Sequence, residues 1–199
     1  MRRTLANVLA VIGLGLLTVP AAHVATGIEA QDATPESGFH RSSSKARGVA
    51  VGSAWGRIQI PRVGIDQVVF EGVTAGALRK GPGHVPGTAA PGSPAGNCVI
   101  SAHRDSFFRA LEGVREGDLV FVRGLEGKAT SYRLVSKSIV LPEKISVMDA
   151  SSDRRLTLIT CYPFHFVGSA PYRLVWVGVA AGRRLPPSPS SSVAAVAER

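Results

Sequence analysis

Short alternating segments between residues 55 and 180 constrain the fold of this chain more than any other feature. Their apolar residues tend to recur at every second position, and many end at glycine or proline, which is the pattern of half-buried β-strands. The predicted strands are 55–60, 67–71, 97–103, 118–123, 131–140, 154–161 and 172–180. Only two short helices are expected, 74–80 and 106–111, with Thr74 and Asp105 as their caps. The pattern therefore predicts a mainly β protein of seven or eight strands, built as an antiparallel barrel or sandwich.

The regions on either side of these strands have a different composition. Residues 1–28 start with a pair of arginines and continue as an apolar run, which fits either a membrane anchor or a cleaved signal peptide. The arginines favour a cytoplasmic N-terminus and an exported body. Residues 29–54 are rich in Ser, Gly, Ala and charge and indicate a flexible stalk, while 183–199 indicate a disordered tail. The folded domain is expected over 55–182.

Charge and motif content argue against several classes of function. The formal charge of +9 is scattered along the chain, without basic runs or interleaved aromatics. This distribution favours a basic surface near an anionic membrane or cell wall over nucleic-acid binding. No glycine-rich loop leads from a strand into a helix, so nucleotide binding has no support. No Cys/His spacing resembles a zinc site, and neither a metal nor another cofactor is expected.

A cysteine at the end of a predicted strand is the first candidate for chemistry. The stretch Leu156-Thr157-Leu158-Ile159-Thr160-Cys161 alternates as a strand and is followed by Pro163 two residues later. A strand end holds a side chain in one geometry and leaves it reachable. A thiol becomes a good nucleophile only when a base or a cation favours its thiolate. Cys161 is therefore the predicted nucleophile.

The other cysteine, Cys98, lies within a predicted strand. It shares a face with Ile100 and Ala102, which favours a buried and inert thiol. A disulfide between Cys98 and Cys161 is the alternative, since an exported domain meets oxidising conditions.

Two further residues qualify as partners of the cysteine. His103 ends its strand as Cys161 ends its own, so the two strand ends are expected to meet at a barrel rim, whereas His84 and His165 lie in loops. Arg173 begins the last strand and offers a permanent charge with several donors, which suits the oxyanion of a tetrahedral intermediate. Each alone has an ordinary structural explanation, as a histidine bonded to loop backbone or a solvated arginine.

Three stretches together resemble the sortases, the membrane-anchored cysteine transpeptidases of bacterial surfaces. They are Ile100-Ser101-Ala102-His103-Arg104, Thr157-Leu158-Ile159-Thr160-Cys161 and Tyr172-Arg173-Leu174-Val175. The order His, Cys, Arg and the spacing both fit the family. The run from Cys161 to Gly168 is most similar to the class D group, and the likeness covers roughly 56–179.

The resemblance implies an eight-stranded sortase-type β-barrel with a defined reaction. Cys161 would attack a Leu-Pro-x-Thr-type sorting signal of a secreted protein between Thr and Gly or Ala and form a thioester. His103 would protonate the leaving amine and deprotonate the incoming one, and Arg173 would hold the substrate and the oxyanion. Thr160 and Tyr162 are the candidate substrate-binding residues. The acceptor would be an amine of a cell-wall precursor or a pilin lysine, and the enzyme would be a single-pass membrane protein with its catalytic domain outside the cytoplasm.

Two other functions share these features. A cysteine hydrolase would use the same residues but let water resolve the thioester. A non-enzymatic surface domain would bind a wall or protein ligand, with its two cysteines paired or inert.

Overall fold

The computed structural model describes residues 49–125 and 129–181. The expected anchor, the stalk up to residue 48 and the tail from 183 lie outside the described residues. So does the turn that the sequence predicts at Glu126-Gly127, between the predicted strands 118–123 and 131–140. Within the described ranges, none of the helices has the length and apolarity that a membrane span needs.

The described residues form a closed barrel of eight strands with few and short helices. The strands are β1 (Ala54–Ile60), β2 (Ile65–Glu71), β3 (Gly83–His84), β4 (Gly96–Ser101), β5 (Leu119–Gly124), β6 (Ala129–Val140), β7 (Arg154–Tyr162) and β8 (Tyr172–Ala180). They pair in the order β1-β2-β3-β4-β7-β8-β6-β5, and β5 closes the barrel onto β1. Helix α1 spans Ala75–Lys80, and 3-10 helices span Pro61–Val63, Arg109–Gly113 and Ile145–Met148.

The predicted mainly β barrel with short helices is confirmed, but the expectation of an all-antiparallel sheet is wrong. Strands β2 and β3 pair in parallel, and so do β4 and β7. A parallel pair needs a long crossover connection, and the chain between β4 and β7 contains β5 and β6. As a result the carboxyl ends of β4 and β7 lie at the same rim of the barrel.

The predicted helices differ in outcome. Helix α1 begins as expected, with the Thr74 hydroxyl accepting a hydrogen bond from the backbone N–H of Ala77 at 3.3 Å. The helix expected at 106–111 is replaced by turns and the 3-10 helix Arg109–Gly113, and Asp105 does not cap it. Burial decides this geometry, because Phe108 and Leu111 both pack into the core.

The segment 81–94, whose glycines and prolines predict a loop, contains the short strand β3. Its His84 is buried, with Nδ1 2.8 Å from Glu71 Oε2 and Nε2 3.0 Å from the hydroxyl oxygen of Thr88. The imidazole also stacks on the Trp55 indole with 3.9 Å between ring centroids. His84 is therefore a structural side chain of the barrel.

Candidate active site

The nucleophile candidate lies on the outer face of the barrel wall. Leu156 and Leu158 are fully buried in the core, as is Thr160, so alternation places Cys161 on the opposite face of β7. Cys161 is half-buried and carries a free thiol. The strand ends at Tyr162, and Pro163 begins the loop that leads to β8.

Strand register places His103 beside Cys161. The parallel pairing of β4 with β7 runs from Gly96↔Arg154 to Ser101↔Ile159. It continues one step further, because the Ala102 N–H donates to the Ile159 carbonyl at 3.2 Å. Extending this register by two residues from Ser101 sets His103 opposite Cys161, on the same outer face, and His103 is exposed there.

Strand register also places Arg173 beside Cys161, on the other flank. The two residues are direct partners in the antiparallel pair of β7 and β8, so their side chains share a face. The Nη1 of Arg173 donates to the carbonyls of Ala170, at 3.2 Å, and Tyr172, at 2.9 Å. Its Nη2 and Nε have no hydrogen-bond partner among the described residues. Cys161 on β7, Arg173 on β8 and His103, two residues beyond the end of β4, thus lie at the same rim.

The two candidate substrate-binding residues occupy less open positions. Thr160 is 1% exposed, and its hydroxyl donates to the Ala102 carbonyl at 2.8 Å. Tyr162 is half-buried and packs against the core, with its ring edge-to-face with Phe164 at 6.2 Å. Thr160 therefore holds the rim from inside the barrel wall, and Tyr162 borders it.

Arg104 is a residue at this rim that sequence reasoning did not select. Its Nη2 donates to the carbonyls of Phe166, at 2.8 Å, and Gly168, at 3.0 Å, both in the loop between β7 and β8. Its guanidinium also lies 5.9 Å from the centroid of the Phe166 ring. The only signal in the sequence was its position directly after His103. Arg104 joins the chain at His103 to the loop that follows Cys161.

A second polar network covers the other end of the same outer face. The buried Asn97 side chain donates from Nδ2 to the carbonyls of Val147 and Asp149, each at 3.1 Å, and its Oδ1 accepts from the Thr157 hydroxyl at 2.7 Å. These bonds hold the connection between β6 and β7 over the start of β7. The outer face is therefore covered at one end of β7 and open at Cys161.

The second cysteine is separated from the first by the barrel wall. Cys98 is 1% exposed and packs in the core with Ile100 and Ala102, as predicted. Burial raises the pKa of its thiol to about 12, so it stays protonated and unreactive. Both cysteines are free, and the disulfide alternative is not formed. No group of three or more His, Cys, Asp or Glu side chains within 49–125 and 129–181 is arranged to hold a metal ion.

The fold and the rim together define a class of protein. It is a closed β-barrel with both parallel and antiparallel strand pairs. A reachable cysteine ends a strand that lies between two others, and a histidine and an arginine flank it. Comparison with known proteins agrees. The family model of the sortase domain matches residues 58–181. Sortase D of Bacillus subtilis (strain 168) is 33% identical over 148 residues, which cover 71% of this chain and 74% of that protein.

Two solved structures share the fold. A sortase D5 transpeptidase of Clostridium perfringens superposes with a TM-score of 0.65 at 20% identity, covering 79% of this chain and 99% of that one. Sortase C of Clostridium perfringens, solved with the C-terminal cell wall sorting motif, superposes with a TM-score of 0.59 at 23% identity, covering 79% and 89%. The chain belongs to the sortase family, and its enzyme class is that of the cysteine transpeptidases.

Proposed function

We propose that this chain cleaves a Leu-Pro-x-Thr-type sorting signal through a thioester on Cys161 and transfers the acyl group to an amine. The observation that supports the proposal most is the strand register at this rim, in which Cys161 pairs with Arg173 and His103 follows two residues after the end of β4, the other neighbour of β7. The sorting motif bound to sortase C of Clostridium perfringens supports the choice of donor.

The first half-reaction uses all three residues. With the Cys161 proton held by His103, the Cys161 thiolate attacks the carbonyl carbon of the signal threonine, and the carbonyl oxygen becomes an oxyanion. The unpartnered N–H groups of Arg173 donate to that oxygen, which favours the tetrahedral intermediate. The C–N bond then breaks, and His103 gives its proton to the leaving amine.

The second half-reaction reverses these roles. The incoming amine attacks the thioester carbon and gives a proton to His103 as the new C–N bond forms. The C–S bond breaks, and the electron pair returns to sulfur as the thiolate. Hydrolysis is the same sequence with water in place of the amine, so the product alone distinguishes a transpeptidase from a hydrolase.

We place the enzyme at a bacterial surface. The apolar run within 1–28 serves in this proposal as a single membrane span, with the barrel outside the cytoplasm and the stalk 29–54 between them. The partners are then secreted proteins with a sorting signal, the membrane itself and an amine of the cell wall or of a pilin. Protease treatment of intact spheroplasts tests this placement, since an external barrel is digested and an internal one is protected.

The test of function uses the full chain with quenched peptides ending in Leu-Pro-x-Thr-Gly or Leu-Pro-x-Thr-Ala, with and without an added amine. Mass spectrometry reads the acyl-enzyme and the products. We expect an adduct on Cys161 and an amine-joined product, both absent in Cys161→Ala and retained in Cys98→Ala. Cleavage with water alone as acceptor would favour the hydrolase. No adduct with any peptide would overturn the proposal.

A further inference from the structure

The second half of β6 has one edge without a partner strand. Strand β6 pairs with β8 up to Val140, but it pairs with β5 only up to Arg133. The last backbone bonds on the β5 side join Leu134 to the turn before β5, at 2.8 and 2.9 Å. Beyond them, residues 136–140 form no hydrogen bond with any described residue on the side away from β8. We call this stretch the free edge.

The free edge carries exposed apolar side chains. Ile139 is 48% exposed, and Val135, just before the edge, is 43% exposed. Ile139 is the cross-strand partner of Leu174, which is buried in the core. Lys137 is likewise the partner of the buried Trp176. The core-facing side of β6 thus continues into solvent here, and an exposed edge of this kind is a template for pairing with another chain.

The free edge lies within reach of a donor bound at Cys161. Val140 pairs with Arg173, and Arg173 pairs with Cys161. Because neighbouring strands lie about 4.8 Å apart, a strand added to β6 would lie about 15 Å from β7. The leucine of the signal precedes its threonine by three residues, which span about 10 Å when extended. The residues before the leucine are therefore the first that reach the free edge.

The proposed chemistry gives the donor a direction across the sheet. His103 gives its proton to the leaving amine, so the residues after the signal threonine lie on the β4 side of Cys161. The residues before the threonine then lie on the β8 side, because β4 and β8 flank β7 on opposite sides. Strand β6 is the next strand beyond β8. A donor segment that runs along β6 toward Cys161 is parallel to β6.

The charge of Lys137 makes a second copy of this chain a poorer occupant of the free edge. Lys137 is exposed and is the one charged residue between 134 and 142. Two copies paired antiparallel over 136–140 would place their two lysines diagonally on one face, roughly 7–8 Å apart. Like charges repel, and lysine on an exposed edge is a known protection against self-pairing. The same charge attracts a segment with acidic side chains.

Resting on the proposed function, we infer that the free edge of β6 binds the donor segment that precedes the sorting signal, as an added parallel strand. Backbone hydrogen bonds to 136–140 give affinity that does not depend on sequence. Ile139 packs against alternate side chains of the segment, and Lys137 favours acidic ones. A good donor therefore has an extended and partly acidic segment before its signal.

The first experiment measures the KM for thioester formation with the full chain and four donors. One donor is a minimal signal peptide, and one carries six further residues before the leucine, alternating Thr and Glu. Two more carry this extension N-methylated at its odd or its even positions. Alternate residues of a strand turn their backbone groups to the same side, so only one methylated set faces β6. We expect the extension to lower the KM about tenfold, and only one methylated set to cancel that gain.

The second experiment reverses the charge at the edge. An extension that alternates Thr and Lys is compared with the Thr and Glu extension in wild type and in Lys137→Glu. The wild type should prefer the acidic extension about threefold, as expected for an exposed charge pair, and Lys137→Glu should reverse the preference. Arg154→Glu makes the same change in net charge at an exposed position at the start of β7 and should behave as the wild type. The KM for the minimal peptide should stay unchanged in both variants, and thermal unfolding reports folding.

Any of four results would overturn the inference. Three are an equal KM for the minimal and extended donors, equal effects of the two methylated sets, and a charge preference that Lys137→Glu leaves unchanged. The fourth is a full chain that light scattering in detergent shows to be dimeric as wild type and monomeric as Ile139→Lys, which would assign the edge to a second copy. Failure of the proposed function has a different signature, because the wild type would then form no thioester with any signal peptide.

Discussion

The Thr160 hydroxyl donates a 2.8 Å hydrogen bond to the carbonyl of Ala102, and both residues are buried. Thr160 precedes Cys161, and Ala102 precedes His103. The bond therefore links β7 to the chain just after β4 at the last position before Cys161 and His103. It holds Cys161 and His103, the proposed nucleophile and base, in register from inside the barrel, where water does not compete for it.

The first prediction concerns this bond. Thr160→Val removes the donor and leaves a buried carbonyl without it, which should lower the free energy of unfolding by about 1–3 kcal/mol. It should also slow thioester formation about tenfold or more, since misplacement of the reacting groups is costly. Denaturant unfolding and mass spectrometry of the acyl-enzyme measure the two effects.

Thr157→Val is the matched control for that prediction. It removes an equally buried hydroxyl from the same strand, which donates to Asn97 Oδ1 at 2.7 Å, away from the rim. We expect a similar loss of stability with a much smaller loss of acylation. Equal losses of acylation in the two variants would show that Thr160 acts only through stability.

The second prediction concerns Arg104, which binds the carbonyls of Phe166 and Gly168. Arg104→Gln should release the loop between β7 and β8, because one short amide cannot reproduce the forked contacts and the ring contact. Hydrogen exchange in residues 163–171 should accelerate, and the KM for the signal peptide should rise several-fold. Arg133→Gln, which loses a comparable bond to the Gly117 carbonyl at 3.0 Å, should change neither quantity. Unchanged exchange in Arg104→Gln would refute the role.

The third prediction separates the two thiols. Under native conditions near pH 8, iodoacetamide should modify Cys161 and leave Cys98 unmodified, because Cys98 is buried with a pKa of about 12. In denaturant both should react. Peptide mapping by mass spectrometry identifies the sites, and Cys161→Ala should take up no native label. Native labelling of Cys98 at a rate near that of Cys161 would contradict the structure.

The fourth prediction concerns stability at high pH. Burial raises the pKa of Cys98 from 9.0 to about 12. Burial is also the main reason that the pKa of Tyr132 rises from 10.0 to about 12. Above pH 9 the unfolded chain therefore loses protons that the folded chain retains, and stability must fall as pH rises toward 12. The contribution of these two groups is fully present below pH 9.

Thermal unfolding between pH 8 and 11 measures this slope. Cys98→Ala should make the decline shallower between pH 9 and 10, since the thiol is gone. Val122→Ala, which also removes part of a fully buried side chain, should lower the melting temperature by a similar amount at every pH. An identical slope in wild type and Cys98→Ala would contradict the predicted linkage.

Local sequence patterns were enough to predict most of the strands and which residues end them at the rim. Alternation identified the strands, since a two-residue period follows from one buried face. The same reasoning predicted that Cys98 is buried and that Cys161 is reachable. The hydroxyl of Thr74 and its position predicted that it caps helix α1. These properties depend on neighbours within a few residues, so the sequence is enough to predict them.

Strand pairing across the barrel could not be derived in this way. Had β4 and β7 paired antiparallel, His103 and Cys161 would have lain at opposite ends of the sheet, although each would still have ended its strand. The parallel pairing and the contact of Arg104 with the loop near Cys161 both join segments far apart in the chain. The sequence by itself determined which residues can react and which are buried. Only the tertiary structure decided which of them meet, because that depends on the crossover through β5 and β6 and on how the closed barrel packs its core.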